Sequence, residues 1–216
     1  SSASSDVYKR QASPSVLWGA AAGGVAALAV ICIFTLDQSV AQFWAQHKAA
    51  RPLFQAMAAP SLLSLPMAGL VLLAALWRRL RGQAGPSRLW LAMALATLAA
   101  TAAKDELKWM FGRAWPGTFL KFGDAGFHPF AQSVWYGAFP SGHTSYAAAP
   151  LAVLWALRPG WRPLYAALLL AVMAGLVCAD YHFVSDVLAG LLTGAFCAWG
   201  ALVLTAPRQG PAPRHE

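Results

Sequence analysis

The sequence predicts an all-α membrane protein that folds as a single bundle of six transmembrane helices. Of its 216 residues, 58% are hydrophobic and only 11% are charged, whereas ordinary soluble domains carry about 25% charged residues. Six stretches approach or reach the roughly 20 apolar residues that a helix needs to cross the hydrocarbon core. Several of the ten tryptophans fall near the ends of these stretches, as in the aromatic belts of membrane proteins.

Each predicted span is an apolar run bounded by polar or basic residues. In chain order the six predicted spans cover about 16–36, 59–77, 89–111, 139–157, 163–179 and 187–206. Pro66 and Pro150 fall inside spans, where neighbouring helices tolerate a kink. Together the spans define one membrane domain over 16–206. Residues 1–15 are polar and without periodicity, so we expect a disordered or non-native leader, and 207–216 form a predicted tail.

The basic residues predict the orientation of the bundle in the membrane. Under the positive-inside rule, loops rich in Lys and Arg are cytoplasmic. The basic residues near span ends are Arg78, Arg79, Arg81, Arg88, Arg158, Arg162, Arg208 and Arg214. This pattern places both termini in the cytoplasm and the segments 36–60, 104–138 and 180–186 outside. The net charge of +8 therefore indicates orientation in an inner (plasma) membrane rather than nucleic-acid binding.

The three cysteines lie within predicted spans, at Cys32, Cys178 and Cys197. Buried cysteines of this kind are typical small packing residues. They predict neither a disulfide framework nor a zinc site, and the sequence offers no separate ligand set for a cofactor.

Polar residues with catalytic chemistry gather at the outer ends of three predicted spans. In the last of these clusters, His182 and Asp186 are four residues apart, so on a helix they share one face. The carboxylate then accepts Nδ1–H and leaves Nε2 free as a nucleophile. The alternative is a structural histidine satisfied by a carboxylate, although an ionisable pair at a membrane helix end favours function.

The middle cluster is the turn 139–145, which reads FPSGHTS. Pro140 and Gly142 shape a turn into a helix whose first N–H groups lack partners and attract anions. Ser141 adds a hydroxyl, and His143 stands where it can protonate a leaving oxygen. The alternative is a plain helix start in which Ser141 is the cap.

The first cluster contains the cations Lys104, Lys108 and Arg113. Lys108 and Arg113 are candidates to hold phosphate oxygens, the guanidinium through its planar fork and the ammonium as a point charge. The alternative is that these side chains extend toward water or lipid headgroups. We expect that outcome for Lys104, because acidic residues follow it.

Together these residues resemble the type 2 phosphatidic acid phosphatase superfamily, whose histidine-phosphatase core is shared with vanadium-dependent haloperoxidases. The family motifs are Lys-x6-Arg-Pro, Pro-Ser-Gly-His and Ser-Arg-x5-His-x3-Asp. The middle motif is intact at 140–143, and His182 and Asp186 match the end of the third. In the first motif, Lys108 is in register and Pro116 closes it.

The sequence departs from the family motifs at two positions. Trp115 stands where the first motif has its arginine, while Arg113 lies two residues earlier. Gly175 and Leu176 replace the Ser-Arg of the third motif, and no arginine lies nearby. One of the family's phosphate clamps is therefore predicted to be missing, which bears on rate and substrate rather than on fold.

The resemblance implies a metal-independent phosphatase mechanism. His182 would attack phosphorus to form a phosphohistidine, Asp186 would orient His182, and His143 would protonate the leaving group. The implied phosphate-binding groups are Lys108, Arg113, Ser141 and Gly142.

The predicted function is a lipid phosphatase that cleaves a phosphate or diphosphate monoester of a lipid at the outer membrane face. Its partners are then the bilayer and a lipid phosphate, such as phosphatidic acid or undecaprenyl diphosphate. Two alternatives are a phosphotransferase with the same histidine chemistry and a membrane protein that binds lipid phosphates without turnover. A metal enzyme with His143, His182 and Asp186 as ligands is the least favoured alternative.

Overall fold

The computed structural model describes residues 14–207, and within this range the chain is helical with only isolated β-bridges. The longer α-helices are α1 (Pro14–Thr35), α4 (Ser64–Leu80), α5 (Arg88–Phe111), α7 (Gly142–Leu157), α8 (Arg162–Cys178) and α9 (Val184–Leu204). The shorter ones are α2 (Asp37–Gln46), α3 (Arg51–Ala58) and α6 (Pro116–Phe122). Short 3₁₀ turns at Lys48–Ala50, Ala59–Leu63 and Pro159–Trp161 join some of them.

Four helical stretches of the described chain are long and apolar enough to cross a bilayer. They are Val16–Thr35, Lys48–Leu80, Pro159–Cys178 and Val184–Leu204. These stretches correspond to the first, second, fifth and sixth predicted spans. The second is longer than predicted, because α3 and the following 3₁₀ turn precede α4.

The third and fourth predicted spans form α5 and α7, which lie at the centre of the bundle and pack against each other and α9. Small residues dominate their shared core, for example Ala96, Ala100 and Ala149. α5 is charged at both ends, and the 16 residues of α7 span only about 24 Å at 1.5 Å per residue. Their crossing of the membrane therefore remains a prediction.

Two glycines of α9 allow this helix to pack closely against the start of α7. A Cβ atom on Gly190 would lie 2.6 Å from the carbonyl oxygen of Ser141, and one on Gly194 would lie 2.4 Å from that of Ser145. No side chain fits at these distances. This close approach lets the Ser141 amide donate to the carbonyl oxygen of Asp186 at 2.9 Å, so the two helix starts meet.

The segment between α5 and α7 folds back over the same end of the bundle. α5 ends at Phe111 and is capped by Gly112, whose backbone has a left-handed φ of 55°. After it, Arg113 pairs with Phe127 and Ala114 with Tyr136 through antiparallel bridges. The predicted leader and tail lie outside the described residues, apart from 14, 15 and 207.

Candidate active site

The three polar clusters of the sequence converge on one open pocket of about 1130 Å³. Its wall includes His143 and His182 together with Lys104, Lys108 and Gly142. The centroids of the two imidazole rings are 6.5 Å apart. Two histidines and two cations therefore line a single pocket.

His182 lies in the turn before α9 rather than on the helix, which corrects the prediction that His182 and Asp186 share a helical face. Its amide donates to the carbonyl oxygen of Leu176 at 3.3 Å. Nδ1 lies 3.5 Å from Oδ2 of Asp186, which is longer than a normal hydrogen bond. Oδ2 of Asp186 instead accepts from the Phe183 amide at 2.9 Å. Asp186 thus fixes the first turn of α9, and its carboxylate lies near Nδ1 of the His182 ring.

The environment of His182 favours a neutral imidazole. The side chain is 4% exposed, and its burial lowers the pKa, although nearby Asp186 opposes that shift and Lys108 adds to it. Because Nδ1 is on the side of Asp186, Nε2 is the candidate nucleophilic nitrogen, and a backbone contact from Ala138 also acts on the ring. A neutral ring with a free nitrogen is the state that a nucleophile requires.

Ser141 caps α7 and does not line the pocket, contrary to the predicted phosphate contact. Its hydroxyl accepts from the Thr144 amide at 3.3 Å and from the Thr144 hydroxyl at 3.1 Å, and the residue is fully buried. The alternative reading of this serine as a helix cap is the one the geometry favours. Gly142 and His143, in the first turn of α7, do reach the pocket wall.

Lys108 and Trp115 form another part of the wall. Nζ of Lys108 donates to the carbonyl oxygen of Gly137 and lies 4.6 Å from the centroid of Trp115. The same indole lies 5.2 Å from the His182 ring, centroid to centroid. The tryptophan that replaces the family arginine therefore packs between the cation and the histidine.

Lys104 also lines the pocket, although the sequence predicted an exposed side chain. It forms an ion pair with Asp105, as its acidic neighbours suggest, but the lysine side chain is only 16% exposed. A Cβ atom on Gly142 would lie 2.7 Å from Cδ of Lys104. The glycine of the Pro-Ser-Gly-His turn thus makes room for a second cation beside the histidines.

Arg113 is the main departure from the predicted phosphate-binding set. It is 1% exposed and does not line the pocket. Nη1 donates to Oδ1 of Asp186 at 2.6 Å, and Nη2 donates to Oδ2 of Asp37 at 2.8 Å. Because both carboxylates already occupy its planar fork, this arrangement does not offer Arg113 to a phosphate.

Asp37 and Ser185 complete this network, and neither was identified from the sequence. The Ser185 amide donates to Oδ1 of Asp37 at 3.0 Å. The Ser185 hydroxyl donates to Oδ2 of Asp37 and accepts from Nη1 of Arg113 at 2.5 Å. The available signal was a single acid at the end of the first apolar span, since ionisable residues at such positions are rarely without a role. We refer to Asp37, Arg113, Ser185 and Asp186 as the buried carboxylate network.

Leu176 occupies the position of the missing arginine of the third motif. It is 1% exposed and contributes an apolar surface to the pocket. Among the described residues, no arginine replaces it in the pocket wall. Lys104 and Lys108 are therefore the cations that this part of the chain presents to a bound anion.

Within residues 14–207, no group of three or more His, Cys, Asp or Glu side chains is arranged to hold a metal ion. Cys32, Cys178 and Cys197 are free thiols. The two histidines and Asp186 thus do not form a three-ligand metal cluster in this geometry.

Comparisons with known proteins relate this chain to one protein family. A family model described as the PAP2 superfamily matches residues 88–209. The lipid A 1-phosphatase of Rhizobium johnstonii is 36% identical over 97 residues, which are 45% of this chain and 38% of the relative. The lipid A 1-phosphatase of Rhizobium etli is 35% identical over 97 residues, 45% of this chain and 40% of the relative. The matches thus span about two fifths of the relatives' length. No solved structure matches the chain.

Proposed function

The chain belongs to the PAP2 superfamily, and on that premise we propose that it is a membrane lipid phosphatase with a phosphohistidine intermediate. The observation that carries this proposal is the pair of imidazoles, His143 and His182, 6.5 Å apart on one pocket wall. Two of the apolar helical stretches, Lys48–Leu80 and Pro159–Cys178, contribute residues to the pocket wall, which suits a substrate that stays in the bilayer.

The first chemical step transfers the phosphoryl group to the protein. Nε2 of neutral His182 attacks phosphorus, and a phosphorus–nitrogen bond forms as the bond from phosphorus to the lipid oxygen breaks. His143 donates its proton to the departing lipid oxygen. In the second step, water attacks phosphorus and gives a proton to His143. The bond to His182 then breaks and inorganic phosphate leaves.

Lys104 and Lys108 hold the phosphate in this scheme. Charge that develops on the phosphoryl oxygens is stabilised by cations and N–H groups that are already in place. Lys108 is fixed by Gly137 and Trp115, and Lys104 lies against Gly142. The amides at the start of α7 provide further donors.

The buried carboxylate network has a positioning role. Arg113 does not touch the pocket, but its guanidinium joins Asp186 to Asp37, so the carboxylate behind His182 is held from two sides. Asp37 lies on α2, ahead of the region that matches the family model. We therefore assign α2 to the framework of the active site.

The substrate is proposed to be a lipid phosphate presented from the non-cytoplasmic leaflet. The positive-inside pattern supports that side for the pocket. Lipid A is the first candidate, since both matched relatives are named lipid A 1-phosphatases. Phosphatidic acid, phosphatidylglycerol phosphate and undecaprenyl diphosphate complete the set to be compared.

A phosphate-release assay on purified protein in detergent tests this function. Each of the four lipids is supplied in turn, with the His182→Ala protein as the blank. We expect release from at least one lipid by the wild type and none by the variant. Radiolabel that moves to a second lipid with little free phosphate would identify a phosphotransferase instead. Binding without turnover over hours would refute catalysis.

A further inference from the structure

A second polar group lies on the wall of the same pocket. It contains Gln55 of α3 and the adjacent residues Asp180 and Tyr181, which precede His182. Nε2 of Gln55 donates to the Tyr181 hydroxyl at 2.7 Å. None of these three side chains has a part in the phosphoryl transfer described above.

Asp180 has an unsatisfied acceptor in this group. Its Oδ1 is buried and has no hydrogen-bond partner among the described residues. Burial raises the pKa of this carboxyl, although the neighbouring charges of Arg51 and Lys48 oppose the shift. Buried polar atoms are nearly always paired, so this orphaned oxygen of a pocket-lining residue indicates a missing donor.

The backbone at Asp180 has an uncommon conformation. Its φ is +58°, in the left-handed region that residues other than glycine seldom adopt. Such strain persists where surrounding structure imposes it, and it concentrates at ligand sites. The Tyr181 amide is bonded to the carbonyl oxygen of Leu176, and the guanidinium carbon of Arg51 lies 5.6 Å from the Tyr181 ring centroid. These contacts hold the turn in place.

We propose that Asp180, Gln55 and Tyr181 form a headgroup subsite that binds hydroxyl or amide N–H donors on the alcohol part of the substrate. This inference rests on the proposed function, because it assumes that a lipid phosphate occupies the pocket at His182. Carboxylate, amide and phenol groups on the wall of one pocket match a sugar or polyol headgroup. An isoprenoid chain or a fully acylated glycerol has no donor to offer them.

The subsite predicts a preference between two classes of lipid phosphate. Lipid A and phosphatidylglycerol phosphate carry hydroxyl or amide donors near the scissile phosphate, whereas phosphatidic acid and undecaprenyl diphosphate do not. A hydrogen bond to a charged acceptor is worth enough to change kcat/KM by about tenfold or more. We expect this increase in kcat/KM only for the lipids that carry hydroxyl or amide donors.

Asp180→Asn is the variant that tests the subsite. Asparagine tolerates the left-handed backbone and keeps the size of the side chain, so the turn is preserved while the charge is lost. Tyr181→Phe is the second variant and removes only the hydroxyl. Glu106→Gln, an exposed carboxylate on α5, is the matched control. Each protein is assayed for kcat/KM on all four lipids.

We expect Asp180→Asn and Tyr181→Phe to lower kcat/KM about tenfold for the donor-bearing lipids and to leave phosphatidic acid and undecaprenyl diphosphate nearly unchanged. Equal losses on both classes, or no loss on either, would overturn the subsite. Binding of the uncleaved lipids to His182→Ala, with and without Asp180→Asn, gives a readout that does not need turnover. A wild-type protein that releases no phosphate would refute the proposed function. The comparison of lipid binding with and without Asp180→Asn would still test the subsite.

Discussion

Asp37→Asn isolates the contribution of the buried carboxylate network. Asparagine has the shape of aspartate and keeps an acceptor for the Ser185 amide, but it removes the charge that faces Nη2 of Arg113 at 2.8 Å. Both partners are at most 1% exposed, so water does not replace the lost interaction. Arg113 would then retain one carboxylate, that of Asp186.

The magnitude follows from burial and from the remaining pair. Removing one partner of a buried ion pair costs about 3–5 kcal/mol, and a hydrogen bond to a charged group contributes about 1.5–3 kcal/mol. Because Asp186 still neutralises Arg113, we expect a loss of about 3 kcal/mol in the free energy of unfolding. We also expect kcat to fall about 10- to 100-fold with little change in KM, since misplaced catalytic groups cost this much.

Two measurements on Asp37→Asn check the account: denaturant unfolding in detergent and steady-state phosphate release. Asp124→Asn is the control, because its pair with His128 is half exposed and should contribute under about 1 kcal/mol. An Asp37→Asn protein as stable and as active as the wild type would refute the positioning role. A raised KM with unchanged kcat would instead indicate that Arg113 binds the phosphate.

Two further predictions concern helix packing and pH. Gly194→Ala should destabilise the bundle by about 1–3 kcal/mol, because the new Cβ would lie 2.4 Å from the carbonyl oxygen of Ser145. Gly200 has open space around it, so Gly200→Ala is the control. It should be neutral or stabilising in the same unfolding assay. If both substitutions act alike, the close packing of α9 on α7 is wrong. Burial lowers the pKa of His182 below 6.5, so its nucleophilic form persists as pH falls through that value. With Asp186, Lys108 and His143 facing the ring, the acid-side decline of kcat/KM should be centred below about pH 6.5. An acid-side decline centred above that value would contradict the buried, neutral imidazole.

The sequence predicted the helical fold and most helix positions because apolar run length is a local property. The runs at 163–179 and 187–206 correspond to α8 and α9 within three residues at each end. The central helices α5 and α7 are harder to recognise as membrane spans from the hydropathy of the sequence. They are packed mainly against protein, and alanines that suit close helix packing carry little hydropathy.

The sequence also predicted that His143 and His182 share one pocket, since each lies in a short motif that adjoins a helix start. Prediction from the sequence was less successful for side chains whose partners are distant in the chain. Arg113 is bonded to Asp37, 76 residues away, and no spacing rule links them. Ser141 differs, because its partner Thr144 is only three residues away and the helix cap was the alternative that the motif left open. Lys104 was expected in water, because its approach to Gly142 depends on how α5 packs against α7.

The central claim is that His182 carries the phosphoryl group during turnover. The direct measurement is to mix the protein with lipid labelled in its phosphate, quench within one turnover, and map the label by mass spectrometry. The account predicts an acid-labile phosphoryl group on His182 that is absent from His182→Ala. A label on any other residue, or full turnover by His182→Ala, would contradict it.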